Sequence, residues 1–312
     1  MTSVLNIRLG HECNHLCKFC TVYGTNEATL STEHVKKIIR ETDAHTVVFT
    51  GGEPTIRKDF IELVKFAHSL GKNIELQTNV SNITDEIFET LISTNVTQIM
   101  ASLHSHKREV HKYLSGVDNF DTIIKNLKRL VDARLFVAIS HVINELNYKD
   151  LLNFVKFILS NVGKVKFYFG FIRPNGRTQQ HPELVPRLYK VQYHLYKVLA
   201  FLDKHEDIIY EVEGVPLCYM LEFKEYSSEY IRLNTERYHQ QEYINSQTGK
   251  YNLLKKQFSE LKKKSKDCEL CVLNNVCPGV WKEYAEMFGL EELYPIFEEP
   301  KKRNKVFWWN SK

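Results

Sequence analysis

Three thiols stand close together near the amino terminus, in Cys13-Asn14-His15-Leu16-Cys17-Lys18-Phe19-Cys20. Thiolates at this spacing can hold three irons of a cubane cluster and leave the fourth iron open to a substrate or cofactor atom, whereas four-cysteine sites are coordinatively closed. A zinc site with His15 as fourth ligand is the plain alternative, although zinc sites usually show paired Cys-x-x-Cys units. A second group, Cys268-x2-Cys271-x5-Cys277, follows a lysine-rich run late in the chain, and Cys218 in Gly214-Val215-Pro216-Leu217-Cys218 is the one thiol left over. Three neighbouring thiols need a metal centre to stay deprotonated together. With Cys218 they would make four ligands, which fit zinc or iron–sulfur equally by count. Seven cysteines in so uneven a distribution, in a chain without a secretion signal, point to metal ligation in a reducing compartment and not to disulfides.

The elements that must position these thiols alternate between apolar strand-like runs and amphipathic helix-like ones, the pattern of a parallel α/β sheet or barrel. Strands are expected at Val4–Leu9, Val47–Thr50, Ile74–Thr78, Gln98–Leu103, Phe136–Val142 and Val165–Phe171. Helices are expected at about 33–42, 59–70, 84–94, 120–133, 149–161 and 186–203, with Thr84-Asp85-Glu86 as a clear helix start. Six such units are too few for a complete eight-unit barrel, so the fold class is α/β, a partial (β/α)6 TIM-type barrel over 1–205 with a smaller cysteine-rich domain over 206–312. The later region begins with a strand at Ile208–Val212. Its polar stretch to Lys266, with one glycine and no proline, is expected to be helical.

On this layout the first cysteines fall on the loop after the first strand, at the end of the barrel where active sites are built. Gly51-Gly52-Glu53-Pro54 follows the second strand and taken alone is a turn. Thr78-Asn79, Ser102-Leu103-His104, His141-Val142-Ile143-Asn144 and Phe171-Ile172-Arg173 close the later strands and would face the same mouth. His104, His106 and His111 fit no common zinc spacing and receive no catalytic role.

The formal charge of +4 favours no particular partner. There is no targeting segment and no apolar run long enough to span a membrane, so a cytoplasmic location and no membrane partner are expected. Lys255–Lys266 and the tail Lys301-Lys302-Arg303-Asn304-Lys305-Val306-Phe307-Trp308-Trp309 place basic residues beside aromatics. Such runs are more often a solvated face than a nucleic-acid surface, and nucleic acid is not the expected partner.

Cys-x3-Cys-x2-Cys after the first strand, with Phe19 before the last cysteine, together with Thr50-Gly51-Gly52-Glu53-Pro54 after the second, resembles the pattern of radical S-adenosylmethionine (SAM) enzymes. The resemblance implies a [4Fe–4S] cluster on Cys13, Cys17 and Cys20 that binds SAM and cleaves it reductively to a 5′-deoxyadenosyl radical, which abstracts a substrate hydrogen. It also implies an electron donor such as flavodoxin or ferredoxin. Gly51, Gly52 and Glu53 would approach the methionine amino group with backbone oxygens. Phe19, Asn79, Ser102 and Asn144 complete the implied SAM-binding set. The carboxyl-terminal segment resembles a twitch domain, a smaller relative of the SPASM domain, which implies a second [4Fe–4S] cluster on Cys218, Cys268, Cys271 and Cys277. It departs from SPASM at Trp281, where a further cysteine would stand, so two auxiliary clusters are not expected.

Because such appendages are common among enzymes that modify ribosomally made peptides, the resemblance makes a peptide the first substrate class. A nucleotide or sugar-derived small molecule is the alternative. Peptide-modifying enzymes often carry an amino-terminal leader-binding domain, and here the barrel is expected to start by residue 4, which weakens the first choice. A zinc-stabilised nucleic-acid-binding protein is the alternative of another class.

Overall fold

The computed structural model describes residues 4–24, 28–234, 241–245 and 249–299, and the basic tail 301–309 lies outside the described residues. Seven strands pair in parallel in sequence order: β1 (Val4–Arg8), β2 (Thr46–Thr50), β3 (Asn73–Thr78), β4 (Gln98–Ser102), β5 (Val137–Ile143), β6 (Lys166–Phe171) and β7 (Tyr210–Glu213). Helices α1 (Thr32–Glu41), α2 (Phe60–Ser69), α3 (Asp85–Ser93), α4 (Arg108–Ser115), α5 (Phe120–Asp132), α6 (Leu151–Asn161) and α7 (Leu188–Leu202) connect them. The Thr84 hydroxyl accepts from Ile87 N–H and starts α3 as its position suggests. Helix α4 has no counterpart in the sequence expectation. It has only two turns, with Val110 and Leu114 as its apolar pair, and Gly116 ends it at φ 75°.

Each strand turns one set of alternate residues toward the helices and the other inward, because the strand period is two. The helix-facing set is largely apolar: Phe49 meets Phe60 of α2, and His141, a histidine in this set, lays its ring 4.1 Å from that of Phe154 of α6. The inward set is largely polar and includes Asn6, Glu75, Gln77, Lys166, Tyr168, Glu211 and Glu213. Barrels of this kind normally fill the interior with bulky branched side chains, whereas here these polar side chains line a cavity.

After residue 205 the chain continues the same sheet. Helix α8 (Ser228–Asn234) follows β7, and a hairpin of β8 (Gln241–Asn245) and β9 (Gly249–Asn252) lays β8 parallel against β1. The nine-stranded order is β7-β6-β5-β4-β3-β2-β1-β8-β9. The helical expectation for this polar stretch is therefore corrected in part. The free edge of β1 offers backbone partners that helix propensity ignores, and Gly249, at φ 61°, opens β9.

A two-stranded ribbon of β10 (Lys262–Lys263) and β11 (Val280–Trp281) frames the late cysteines, followed by a short helix, Lys282–Phe288. Lys262 Nζ donates to Glu229 Oε1 at 2.6 Å, with both side chains almost fully buried, and Arg173 pairs with Glu283 at 2.8 Å. These pairs fix the carboxyl-terminal region to α8 and to the end of β6. Among the described residues no helix is long and apolar enough to cross a membrane.

Candidate active site

A cleft of about 520 Å³ opens at the carboxyl ends of the strands, lined by Cys13, Cys17 and Cys20 together with Phe19, Gly51, Gly52, Glu53, Asn79 and Ser102. The cysteine loop is held from several sides. Leu16 N–H donates to Ser115 O at 2.8 Å, and Lys18 N–H to Leu114 O at 2.9 Å. From the other flank, Arg177 donates from its backbone to Cys20 O at 3.0 Å and from its guanidinium to Cys17 O at 3.3 Å. Burial, reinforced by the neighbouring thiols Cys20 and Cys13, pushes Cys17 up to about 12, and burial also raises Cys13. Thiols that disfavour one another's ionisation this way are stable as thiolates when a metal compensates the charge, so this donor set fits an iron cluster.

The Gly-Gly-Glu loop serves first as a brace for the cysteine loop. Gly52 N–H donates to Gly10 O at 2.9 Å, and Glu53 N–H to Glu12 O at 2.8 Å. A Cβ at Gly51, where φ is 137°, would come within 2.5 Å of Gly10 O, and one at Gly52 within 2.0 Å of Glu12 O. The missing Cβ atoms therefore let two backbones approach, a reason that the turn reading of these residues does not contain. The Glu53 carboxylate is spent internally: Oε1 accepts from Thr55 N–H, Thr55 Oγ1 and Thr78 Oγ1, and Oε2 from Asn79 N–H.

Asn79 reaches the same loop, its Nδ2 donating to Asn14 Oδ1 at 2.7 Å and lying 3.9 Å from Cys13 Sγ. Phe19 is buried with its ring edge against His104, the centroids 4.7 Å apart. Ser102 lines the cleft beside Ser140, its register partner on β5. Asn144 does not join this group: it is fully buried, donates to Val142 O and accepts from Leu146 N–H, which shapes the turn after β5. His15 is taken up by Asn119, whose Nδ2 donates to His15 Nε2 at 2.7 Å while its Oδ1 accepts from His111 Nε2 at 3.0 Å. Burial and the nearby His111 hold His15 down at about 4, so it is neutral.

Thr78 and His104, expected at the mouth without an assigned role, also line the cleft, as do Gln77, Ser140 and Arg177, which were not singled out in the sequence. His104 Nδ1 accepts from Val142 N–H at 3.0 Å, and burial holds its pKa well below the usual range. The ring is therefore neutral with its proton on Nε2, which makes it a donor.

A family model for the radical SAM superfamily matches residues 7–158. The chain carries a radical SAM superfamily domain, and the expectation of an enzyme is met. A probable GTP 3′,8-cyclase of Saccharolobus islandicus (strain L.S.2.15 / Lassen #1) is 32% identical over 179 residues, which take in 55% of this chain and 58% of that one. A probable GTP 3′,8-cyclase of Thermococcus kodakarensis is 29% identical over 160 residues, 48% of this chain and 52% of that one. The chain thus spans little more than half the length of the curated relatives it matches. Among solved structures, Streptococcus suis SuiB bound to S-adenosylmethionine superposes with a TM-score of 0.67 at 17% identity, over 95% of this chain and 76% of that one. The protein anSMEcpe with bound AdoMet does so with a TM-score of 0.67 at 15% identity, over 95% and 89%. At these identities the likeness speaks to the fold.

Cys218, Cys268, Cys271 and Cys277 line one small cavity with Pro216, Leu217 and Tyr294. Leu217 N–H donates to Cys277 Sγ at 3.4 Å and Ile296 N–H to Cys271 Sγ at 3.3 Å. Burial pushes Cys218 up to about 12, with the nearby Cys277 and Cys268 adding to it, and burial also raises Cys277. Backbone donors aimed at sulfur suit thiolate ligands of a cluster, since they stabilise charge on the sulfurs.

Proposed function

We propose that this radical SAM enzyme binds a [4Fe–4S] cluster through Cys13, Cys17 and Cys20 and acts on a nucleotide or sugar-derived small molecule. The observation that carries the reading is the convergence of the cysteine loop and the Gly51-Gly52-Glu53 loop on one cleft at the strand ends. When bound, the cluster supplies the electron that splits SAM into methionine and a 5′-deoxyadenosyl radical able to take a hydrogen atom from the substrate. The backbone oxygens of Gly51, Gly52 and Glu53 orient the methionine end. Asn79 and Ser102 supply polar contacts to the rest of the cofactor, Phe19 shields it, and neutral His104 offers an Nε2–H donor. Asn144, seated away from the cleft, is left out of this set.

A small molecule is preferred to a ribosomal peptide because the relatives matched by sequence carry a nucleotide cyclase name, whereas the peptide-bound likeness, SuiB with precursor peptide SuiA, stands at 16% identity. The radical SAM domain likewise replaces the zinc-stabilised nucleic-acid binder as a reading. Within the region 206–312 we assign Cys218, Cys268, Cys271 and Cys277 to one closed auxiliary [4Fe–4S] cluster, supported by their shared cavity. A flavodoxin or ferredoxin in the cytoplasm would deliver the electrons.

The decisive experiment replaces Cys13, Cys17 and Cys20 together with alanine and measures 5′-deoxyadenosine released under reductant. Loss of cleavage with the auxiliary iron retained is expected. Undiminished cleavage by the triple variant would sink the reading.

A further inference from the structure

Arg177 is the one lysine or arginine among the described residues that line the cysteine cleft. It stands on a short turn, Gly176–Gln180, that follows β6 and bonds to the cysteine loop. Gly176 makes the close approach possible: its φ is 57°, and a Cβ there would come within 2.4 Å of Cys20 O. The Arg177 backbone N–H then reaches Cys20 O, and its Nη1 donates to Cys17 O at 3.3 Å. The guanidinium lies over the ring of Tyr23, 4.0 Å from the centroid. One residue thus ties the second and third thiols of the loop to the end of β6.

The charge of this side chain is not spent elsewhere. Arg173 on the same connection pairs with Glu283, whereas among the described residues no carboxylate pairs with Arg177. Glu53, the one carboxylate lining the cleft, is taken up by Thr55, Thr78 and Asn79. Because Cys17 O and Cys17 Sγ belong to one residue, the donating nitrogen lies within about 8 Å of that sulfur. In a partly buried cleft a fixed charge at that separation acts with little screening by salt. A guanidinium also keeps its proton throughout the working pH range, so the charge is permanent.

We propose that Arg177 is a positioning residue for the cluster on Cys13, Cys17 and Cys20, and that its fixed charge makes that cluster easier to reduce. The inference rests on the cluster proposed for these thiols and adds a residue that sets its potential. Reduction moves one electron from the external donor, which is oxidised, to the cluster, and no bond is made or broken. The reduced cluster carries one more negative charge than the oxidised one, so a neighbouring cation stabilises the reduced form more and raises the potential. A neutral donor in the same place would hold the loop without this bias.

The test is a redox titration of the reconstituted full chain, read by electron paramagnetic resonance on the reduced signal that changes when SAM is added. That response marks the open cluster and sets its signal apart from an auxiliary one. Arg177→Gln keeps a donor for Cys17 O without the charge, and Arg177→Lys keeps both. At a given potential Arg177→Gln should show an about ten-fold lower ratio of reduced to oxidised cluster, a midpoint about 59 mV lower for a one-electron couple. Arg177→Lys should stay within about two-fold of the parent ratio. The signal reports assembled clusters alone, so a partial fall in iron uptake does not hide the shift. A parent midpoint in Arg177→Gln would overturn the inference, as would an Arg177→Lys midpoint that falls equally far. Complete loss of the cluster in Arg177→Gln would overturn it too, leaving Arg177 a structural latch. A parent with no SAM-responsive signal would remove the proposed function and this inference with it, whereas an unmoved midpoint removes this inference alone.

Discussion

The carboxylate of Glu53 accepts the backbone N–H of Asn79 at 2.6 Å, joining the loop after β2 to the end of β3. Together with its three other hydrogen bonds, this makes a nearly fully buried carboxylate the knot of the cleft floor. Glu53→Ala strands two backbone donors and should cost roughly 3 kcal/mol of stability in denaturant titration. Glu53→Gln keeps an acceptor oxygen and should cost about half of that. An alanine variant as stable as the parent would show that the knot is dispensable.

Gly52 gives a sharper expectation than a general turn glycine. Even the single methyl of Gly52→Ala must push Glu12, and with it the loop that carries Cys13, out of place. Iron content after reconstitution and melting temperature should therefore fall together, along with SAM affinity. A variant with normal iron and normal melting that loses only SAM binding would place the glycine's role at the cofactor and not at the loop.

The thiols and the Gly-Gly-Glu-Pro turn are legible in the sequence because each is a local pattern at the end of an apolar run. The polar interior is not, although its mark is present. Glu75 and Gln77, Lys166 and Tyr168, Glu211 and Glu213 each stand two apart within a strand. Taken one strand at a time they look like a solvent face, and only the register across β3 to β7 shows that they face one another. Asn144 illustrates the converse. A polar residue at a strand end suggests a site, but here its hydrogen bonds close a turn. The hairpin β8–β9 escapes because its pairing depends on the free edge of β1, which lies far away in sequence.

His141 sets a pH dependence. Its ring is fully buried and donates from Nδ1 to Leu103 O at 3.1 Å, and burial depresses its pKa to about 3 against that hydrogen bond's opposing pull. The folded chain thus binds this proton less well than the unfolded one. Its contribution to stability is complete above about pH 6.5 and is lost as pH falls toward 3. Between pH 7 and pH 5 the parent should lose about 2 kcal/mol more than His141→Phe, which keeps an aromatic ring beside Phe154 but cannot titrate. Equal pH slopes in urea titrations of the two proteins would show that His141 is not protected.

The last prediction concerns Cys218, which sits on a short turn beside Cys268, Cys271 and Cys277, while Leu217 next to it donates to Cys277 Sγ. A closed cubane needs four thiolates, and Cys218 is the one thiol that comes to the later three from a distant part of the chain. Anaerobic reconstitution should give about eight irons per chain, four at each proposed site. Cys218→Ala should keep most of that iron but leave one auxiliary iron open, so that an added small thiol alters the electron paramagnetic resonance signal of the reduced protein. The parent signal should not respond to the same thiol, because all four irons are already ligated. A parent signal that responds as strongly as the variant's would mean that Cys218 is a buried thiol beside an open three-cysteine site. The auxiliary site would then be one that binds a ligand at its open iron.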